Sequence, residues 1–277
     1  MTHHFRIAVS ATALAAGLWY FTSAAAAPPM LSKDCYKRLI EGDIAQVKTQ
    51  LKWISANPED FNAKAAAWTV KTLAFTLVSN AEATGDSALR DESLKLVEAT
   101  TKLSDSVKPR PKMRVIKDVV DRAQKASAIA EKLAFKPGPS PLQATEPYKI
   151  EKYDYELAQV MTLFRPSDRG GTNIEKDIRD MIKKDNPLKV NPAAVELLAS
   201  RTASVGYLIH AFPNDKAKAK PNDLKEWNQL TKDMVEISQK IAAEAAKGTS
   251  ANDKELVKML DALNGKCYKC HSDYRDE

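Results

Sequence analysis

The chain has 277 residues, with 42 Lys and Arg against 36 Asp and Glu, only 9 Gly and 3 Cys. Three cysteines exclude a disulfide framework as the main stabiliser. The net charge of +6 is interspersed, as in KIEKYDYE and EKDIRDMIKKD, and no basic stripe carries interleaved aromatics, which excludes a nucleic-acid surface.

The first segment reads as an export signal. MTHHFR carries one Arg, IAVSATALAAGLWYF is an apolar run, and TSAAAA supplies small residues before PPM. This predicts a signal peptide over residues 1–26, cleaved near Ala26. The run is short for a membrane span, which needs about 20 apolar residues. The mature chain is expected to be exported, in a bacterium to the periplasm, with no stable membrane insertion after cleavage. Removing Arg6 leaves 41 basic against 36 acidic residues.

Beyond the signal the pattern is helical throughout. Ala, Lys, Glu and Leu dominate, Gly clusters at breaks, and no alternating β-branched run stands out. Helices are predicted over 32–55, 62–83, 87–106 and 113–135, forming an N-terminal helical bundle within 27–135. FKPGPSPLQATEP then packs four prolines into a semi-rigid linker, 136–147. The remaining 148–277 predicts four amphipathic helices. The first runs through Ile150, Tyr153, Leu157, Val160, Met161 and Phe164, and Pro166 ends it. The second carries Val195, Leu198, Val205, Leu208 and Ile209. The third carries Leu224, Trp227, Leu230, Met234, Ile237 and Ile241, with Asn222 as its cap. The last carries Leu256, Leu260, Leu263, Cys267, Cys270, His271 and Tyr274. The loop after the first is long enough for a short extra helix near Ile174 to Ile182. Four such stripes bury most simply as a four-helix bundle. The fold class is therefore all-α, in two bundles. NPEDFNAKAAAWTVKTLAFTLVS and NPLKVNPAAVELLASRTASVGYLI are alike in position and pattern, which fits either a degenerate duplication or independent helices.

The chemistry sits at the end, in CYKCH. On a helix Cys267 and Cys270 are one turn apart on one face, and His271 is one turn from Cys267. Two thiols so placed reach the two vinyl groups along one haem edge, and the imidazole points at the iron. C-x-x-C-H is a c-type haem attachment signal, here for one covalent haem c. A thioredoxin-like pair would want a βαβ context, and a zinc site four ligands from Cys35, His210, Cys267, Cys270 and His271. Cys35 reads as a buried small hydrophobe.

CYKCHSDYR resembles the C-terminal signature of the cytochrome c prime family, including its low-spin relatives; the likeness covers the C-terminal half. The resemblance implies a four-helix haem domain with thioethers at Cys267 and Cys270 and His271 as proximal axial ligand. It places Tyr274 behind the haem, Arg275 beside its proximal face and Trp227 close to it. It puts the distal site on the first helix, where Leu157, Val160 and Met161 are the candidates, Met161 being the candidate sixth ligand. Members of that family are often homodimers through their first helices, and here either a second copy or the extra N-terminal bundle that precedes this helix can occupy that surface. His210 is a lesser candidate ligand.

The expected function is single-electron transfer by a monohaem c-type cytochrome with a redox partner protein. The alternative is a five-coordinate haem protein that binds nitric oxide or another diatomic gas. Catalysis is not expected, since no acid–base pair is poised on a cleft. The N-terminal bundle, which lacks a haem motif, is expected to act as a docking module.

Overall fold

The computed structural model describes residues 31–108, 112–142, 156–183 and 191–275. Residues 1–26, for which the sequence predicts a signal peptide, lie outside these residues. Every regular element among them is helical and none is a strand, so the all-α expectation holds. Among the described residues no helix is long and apolar enough to cross a membrane.

The first four helices are α1 (Lys33–Ala56), α2 (Ala63–Thr84), α3 (Ser87–Ser106) and α4 (Met113–Ala130). Their starts follow local chemistry. Ser32 caps α1 by accepting from the Cys35 N–H, and Asp86 caps α3 by accepting from the Leu89 N–H. In α3, Leu89, Ser93, Leu96, Thr100 and Leu103 form one buried stripe; in α4 Val119, Ala123, Ala126 and Ala130 do the same. α1 packs on α2 and α4, and α3 packs on α2 and α4, closing a circuit. α2 differs from the other three. Nearly all its residues from Ala63 to Ala81 are buried, the mark of a helix covered on every side.

The cover on the far side of α2 comes from the second half. There α5 (Leu157–Met161) runs into a single-turn helix at Thr162–Phe164, with a second such turn at Ser167–Arg169. Then follow α6 (Ile174–Ile182), α7 (Pro192–His210), α8 (Asp215–Ala219), α9 (Pro221–Ala245) and α10 (Asp253–Tyr274). α7 touches α1, α2, α5 and α9. The two look-alike segments of the sequence thus become the two most enclosed helices, α2 and α7, which touch each other.

This meeting is polar as well as apolar. Arg201 on α7 reaches Asp43 on α1 at 2.7 Å, with 9% and 0% of their side chains exposed. Arg38 holds Glu196 at 2.6 Å, and Ser204 donates to Asn80 at 3.1 Å. Such pairs are tolerated in an interior because each charge meets its opposite.

Four features differ from the sequence expectation, the first being that α4 ends at Ala130 rather than at 135. The helix predicted from the 147–166 region begins, among described residues, only at Leu157: Glu156 is extended (φ −109°, ψ 152°), and 143–155 lie outside the description. α9 starts at Pro221 rather than after Asn222, since proline suits a first helical position. α8 was not foreseen; its five residues are too few to show a period. The proline-rich segment is tied down where it is described. Gly138 N–H donates to Thr84 O and Leu142 N–H to Glu82 O. Gly85 turns the chain at φ 74°, and a Cβ there would meet Ser140 O at 2.0 Å, so only glycine fits this crossing.

Candidate functional site

The CYKCH residues occupy the last turns of α10. Asn252 opens that helix by accepting from the Glu255 N–H at 3.2 Å. Leu256, Leu260 and Leu263 are fully buried against its neighbours. Continuing the stripe carries Cys267, Cys270 and His271 onto the same flank, but there the cover thins and all three are half-buried. Tyr268, between the cysteines, points outward and is 76% exposed.

Two elements flank these turns. On one side α9 and the α8 region pin the helix end. Tyr274 is buried, its ring meets Trp227 edge-on with centroids 5.4 Å apart, and its hydroxyl donates to Asp223 O at 3.0 Å. Asn214 donates its side-chain N–H to Tyr274 O, and Lys216 donates to Arg275 O at 2.7 Å. Lys269 bridges Glu226 at 2.8 Å and Asp273 at 2.7 Å; Lys266 bridges Asp233 at 2.6 Å. On the other side lies α6, buried through Ile174 and Ile178. Its Glu175 is the acidic group of another element that bears on both Cys267 and His271. None of Asn214, Lys216 or Glu175 was singled out from sequence. Asn214 carried a local signal, since it caps α8 by accepting from the Ala217 N–H, but its contact with Tyr274 spans 60 positions.

The electrostatics keep these groups neutral. Burial pushes the Cys267 thiol up to about 12, with Cys270 and Glu175 adding to it. Burial likewise pushes Cys270 to about 11, with Asp273 adding. Burial lowers His271; Glu175 opposes this and Arg275 reinforces it. Two neutral thiols and a neutral imidazole therefore share one flank at neutral pH. Among the described residues no three His, Cys, Asp or Glu side chains converge as they would around a bare metal ion. Cys35 is buried in α1.

The Trp227 Nε1–H is buried and has no acceptor among the described residues. A buried indole donor normally finds a partner, so this end of the site has hydrogen-bonding capacity that the described residues do not use.

The structure brings Cys267, Cys270, His271, Tyr274, Arg275 and Trp227 together. Arg275 is exposed, and its backbone N–H closes the helix onto His271 O at 3.2 Å. Leu157, Val160 and Met161 lie on α5, which packs mainly on α2 and α7. Val160 is fully buried, while Leu157 and Met161 are half-buried against the core. The link from α5 to α10 runs through Thr162–Phe164, which touches α6, and α6, which touches α10. His210 Nδ1 lies 2.8 Å from Thr231 Oγ1, so its ring already has a partner between α7 and α9.

Comparison with protein-family models, with curated proteins and with solved structures returned no match.

Proposed function

We propose that this chain is an exported, periplasmic monohaem c-type cytochrome that transfers single electrons. Cys267 and Cys270 would carry the two thioethers and His271 the axial bond of one haem c. When bound, that group supplies a one-electron iron couple whose potential the axial ligands and their surroundings tune. The observation that carries the reading is the flank of α10: two thiols one turn apart beside an imidazole, all three half-buried on a helix that packs on α6 and α9.

The residues present suit such a group better than a bare ion. The sulfurs and imidazole lie along one helix edge rather than around a point. The orphaned Trp227 donor could meet an acceptor-bearing group seated on this flank. Tyr274, held by Trp227 and Asp223, fixes the turn that carries His271. Lys269, braced by Glu226 and Asp273, fixes the turn that carries Cys270. The role is carriage of electrons to and from a redox partner rather than catalysis.

One observation favours a second reading. Met161 packs on the core, and a thioether engaged in packing leaves the sixth position open. The protein would then bind a small diatomic gas such as nitric oxide, with Leu157 and Val160 as apolar surroundings.

The test is the mass and spectrum of the full chain after export. One haem per chain with a low-spin ferric spectrum is expected. A far-red iron–methionine charge-transfer band that vanishes in Met161→Ala identifies the sixth ligand. High-spin ferric protein with rapid nitric oxide binding favours the second reading. A colourless protein with the mass of the bare chain overturns both.

A further inference from the structure

The last helix packs against α9 and α6, and these two neighbours are held differently. α9 is tied to the CYKCH turns by directional contacts. Asp233 meets Lys266 at 2.6 Å and Glu226 meets Lys269 at 2.8 Å. Asp223 O accepts from the Tyr274 hydroxyl at 3.0 Å, and Trp227 stands edge-on to the Tyr274 ring. The ion pairs of α6 stay on its own turns or just past them: Lys176 with Asp180 at 2.8 Å, Arg179 with Glu175 at 3.5 Å, and Lys183 with Asp180 at 2.6 Å. Its hold on the rest of the chain is apolar, through buried Ile174 and Ile178 with Met181 and Ile182 partly buried. Apolar burial is non-directional, whereas hydrogen bonds demand one geometry. A helix held by the first can tilt where a helix held by the second cannot.

The edge of α6 laid over the CYKCH turns is identified by Glu175. It lies roughly 60° round the helix from Ile178, and it bears on both Cys267 and His271. The entry to α6 is firm. Gln50 on α1 donates to Gly171 O at 3.2 Å, and Asn62 donates to Asp168 O at 3.3 Å. The Thr172 hydroxyl donates to Leu163 O at 2.8 Å, and Asn173 Oδ1 accepts from the Ser167 N–H at 2.6 Å. Asn173, at φ 67°, is the only non-glycine with positive φ among the described residues, and α6 begins at the next residue. A fixed loop, a left-handed corner and a nine-residue helix held by apolar contacts make a hinge and an arm.

A group bonded to Cys267, Cys270 and His271 together stands against this flank, so one neighbour must yield. We infer that α6 is a hinged wall of the haem site: it lies over Cys267 and His271 in the haem-free chain, turns out at the Asn173–Ile174 junction to make room for the haem, and covers it with the edge that carries Glu175 and Ile178. α9 is the fixed wall. The inference rests on the haem reading above.

The experiment compares the full chain prepared without haem with the exported holoprotein, by backbone hydrogen exchange read in peptides spanning 174–182 and 223–241. Exchange over 174–182 is expected to differ at least about threefold between the two forms, and that over 223–241 by less than about twofold. Equal exchange over 174–182 in the two forms overturns the inference. So does a larger change over 223–241 than over 174–182, which makes α9 the wall that yields. The second readout is Ile178→Ala in the haem-free chain. Iodoacetamide labelling of Cys267 should speed up at least about tenfold, and that of Cys270 much less, because a loosened arm uncovers the thiol beneath it. Unchanged Cys267 labelling overturns the inference. If Ile178→Ala yields no folded chain, Ile178→Val decides: a smaller increase supports the inference, and none overturns it. A bare-chain mass after export overturns the haem reading itself, whereas loaded protein with an unmoved 174–182 overturns the inference alone.

Discussion

Where α7 meets α1 and α2, buried polar side chains are mostly matched: Asp43 with Arg201 and Asn80 with Ser204 in the interior, and buried Glu196 with the exposed Arg38 at its edge. At the last turns of α10 the reverse holds. Cys267, Cys270 and His271 are half-buried, the cysteines are free, and the indole N–H of Trp227 has no acceptor among the described residues. Both regions are made by helices packing across one another. The first spends its polar groups on the chain's own cohesion, while the second leaves them available. That contrast is the physical reason to look for function at α10 and for stability at the seam.

Breaking the seam should have the largest effect. Asp43→Ala leaves Arg201 buried without its partner and is expected to cost about 3–5 kcal/mol, read by chemical denaturation. Asp43→Leu with Arg201→Met should recover most of this, because replacing a whole buried pair by apolar groups is often neutral. A mild single variant would mean that water reaches the pair.

At the other region the thiols give a sharper contrast. In chain prepared without haem, Cys267 should react with iodoacetamide at pH 8 on the order of a hundredfold or more slower than an unperturbed thiol, since burial raises it to about 12. Cys270, at about 11, should react faster than Cys267. Equal, rapid labelling of both would show that α6 does not cover this flank.

A smaller effect is expected with acid. Burial lowers His210, so as pH falls below about 6.5 the unfolded chain takes up a proton before the folded one does. Stability present above that pH is therefore lost on acidification, and His210→Gln should flatten the slope between pH 7.5 and 5.5. An unchanged slope would assign the acid sensitivity to other groups. The smallest effect belongs to Ser238, fully buried in α9, whose hydroxyl has no partner among the described residues. Ser238→Ala should be neutral or stabilising by about 0.5 kcal/mol, through helix propensity and loss of an unmatched polar group. A clear loss would reveal a partner for that hydroxyl.

Much of the architecture was legible in the chain itself. The bounds of α1, α2, α3, α6 and α10 follow from stripes repeating every three to four residues and from caps such as Ser32, Asp86 and Asn252, because helix formation is settled within a turn or two. The grouping of two thiols and an imidazole on one flank is likewise local, since it needs only the rise of a helix. The α5 region shows the limit. Its stripe predicted a continuous helix from well before Leu157, and Glu156 is extended instead. What only the tertiary structure decided is what touches what. Asp43 and Arg201 pair across 158 positions, α6 lies on α10, and Lys71 reaches Gln159 from the other half of the chain. Periodicity says which face of a helix is buried but not against which neighbour, because that choice rests on shape and charge matched between segments far apart in the sequence.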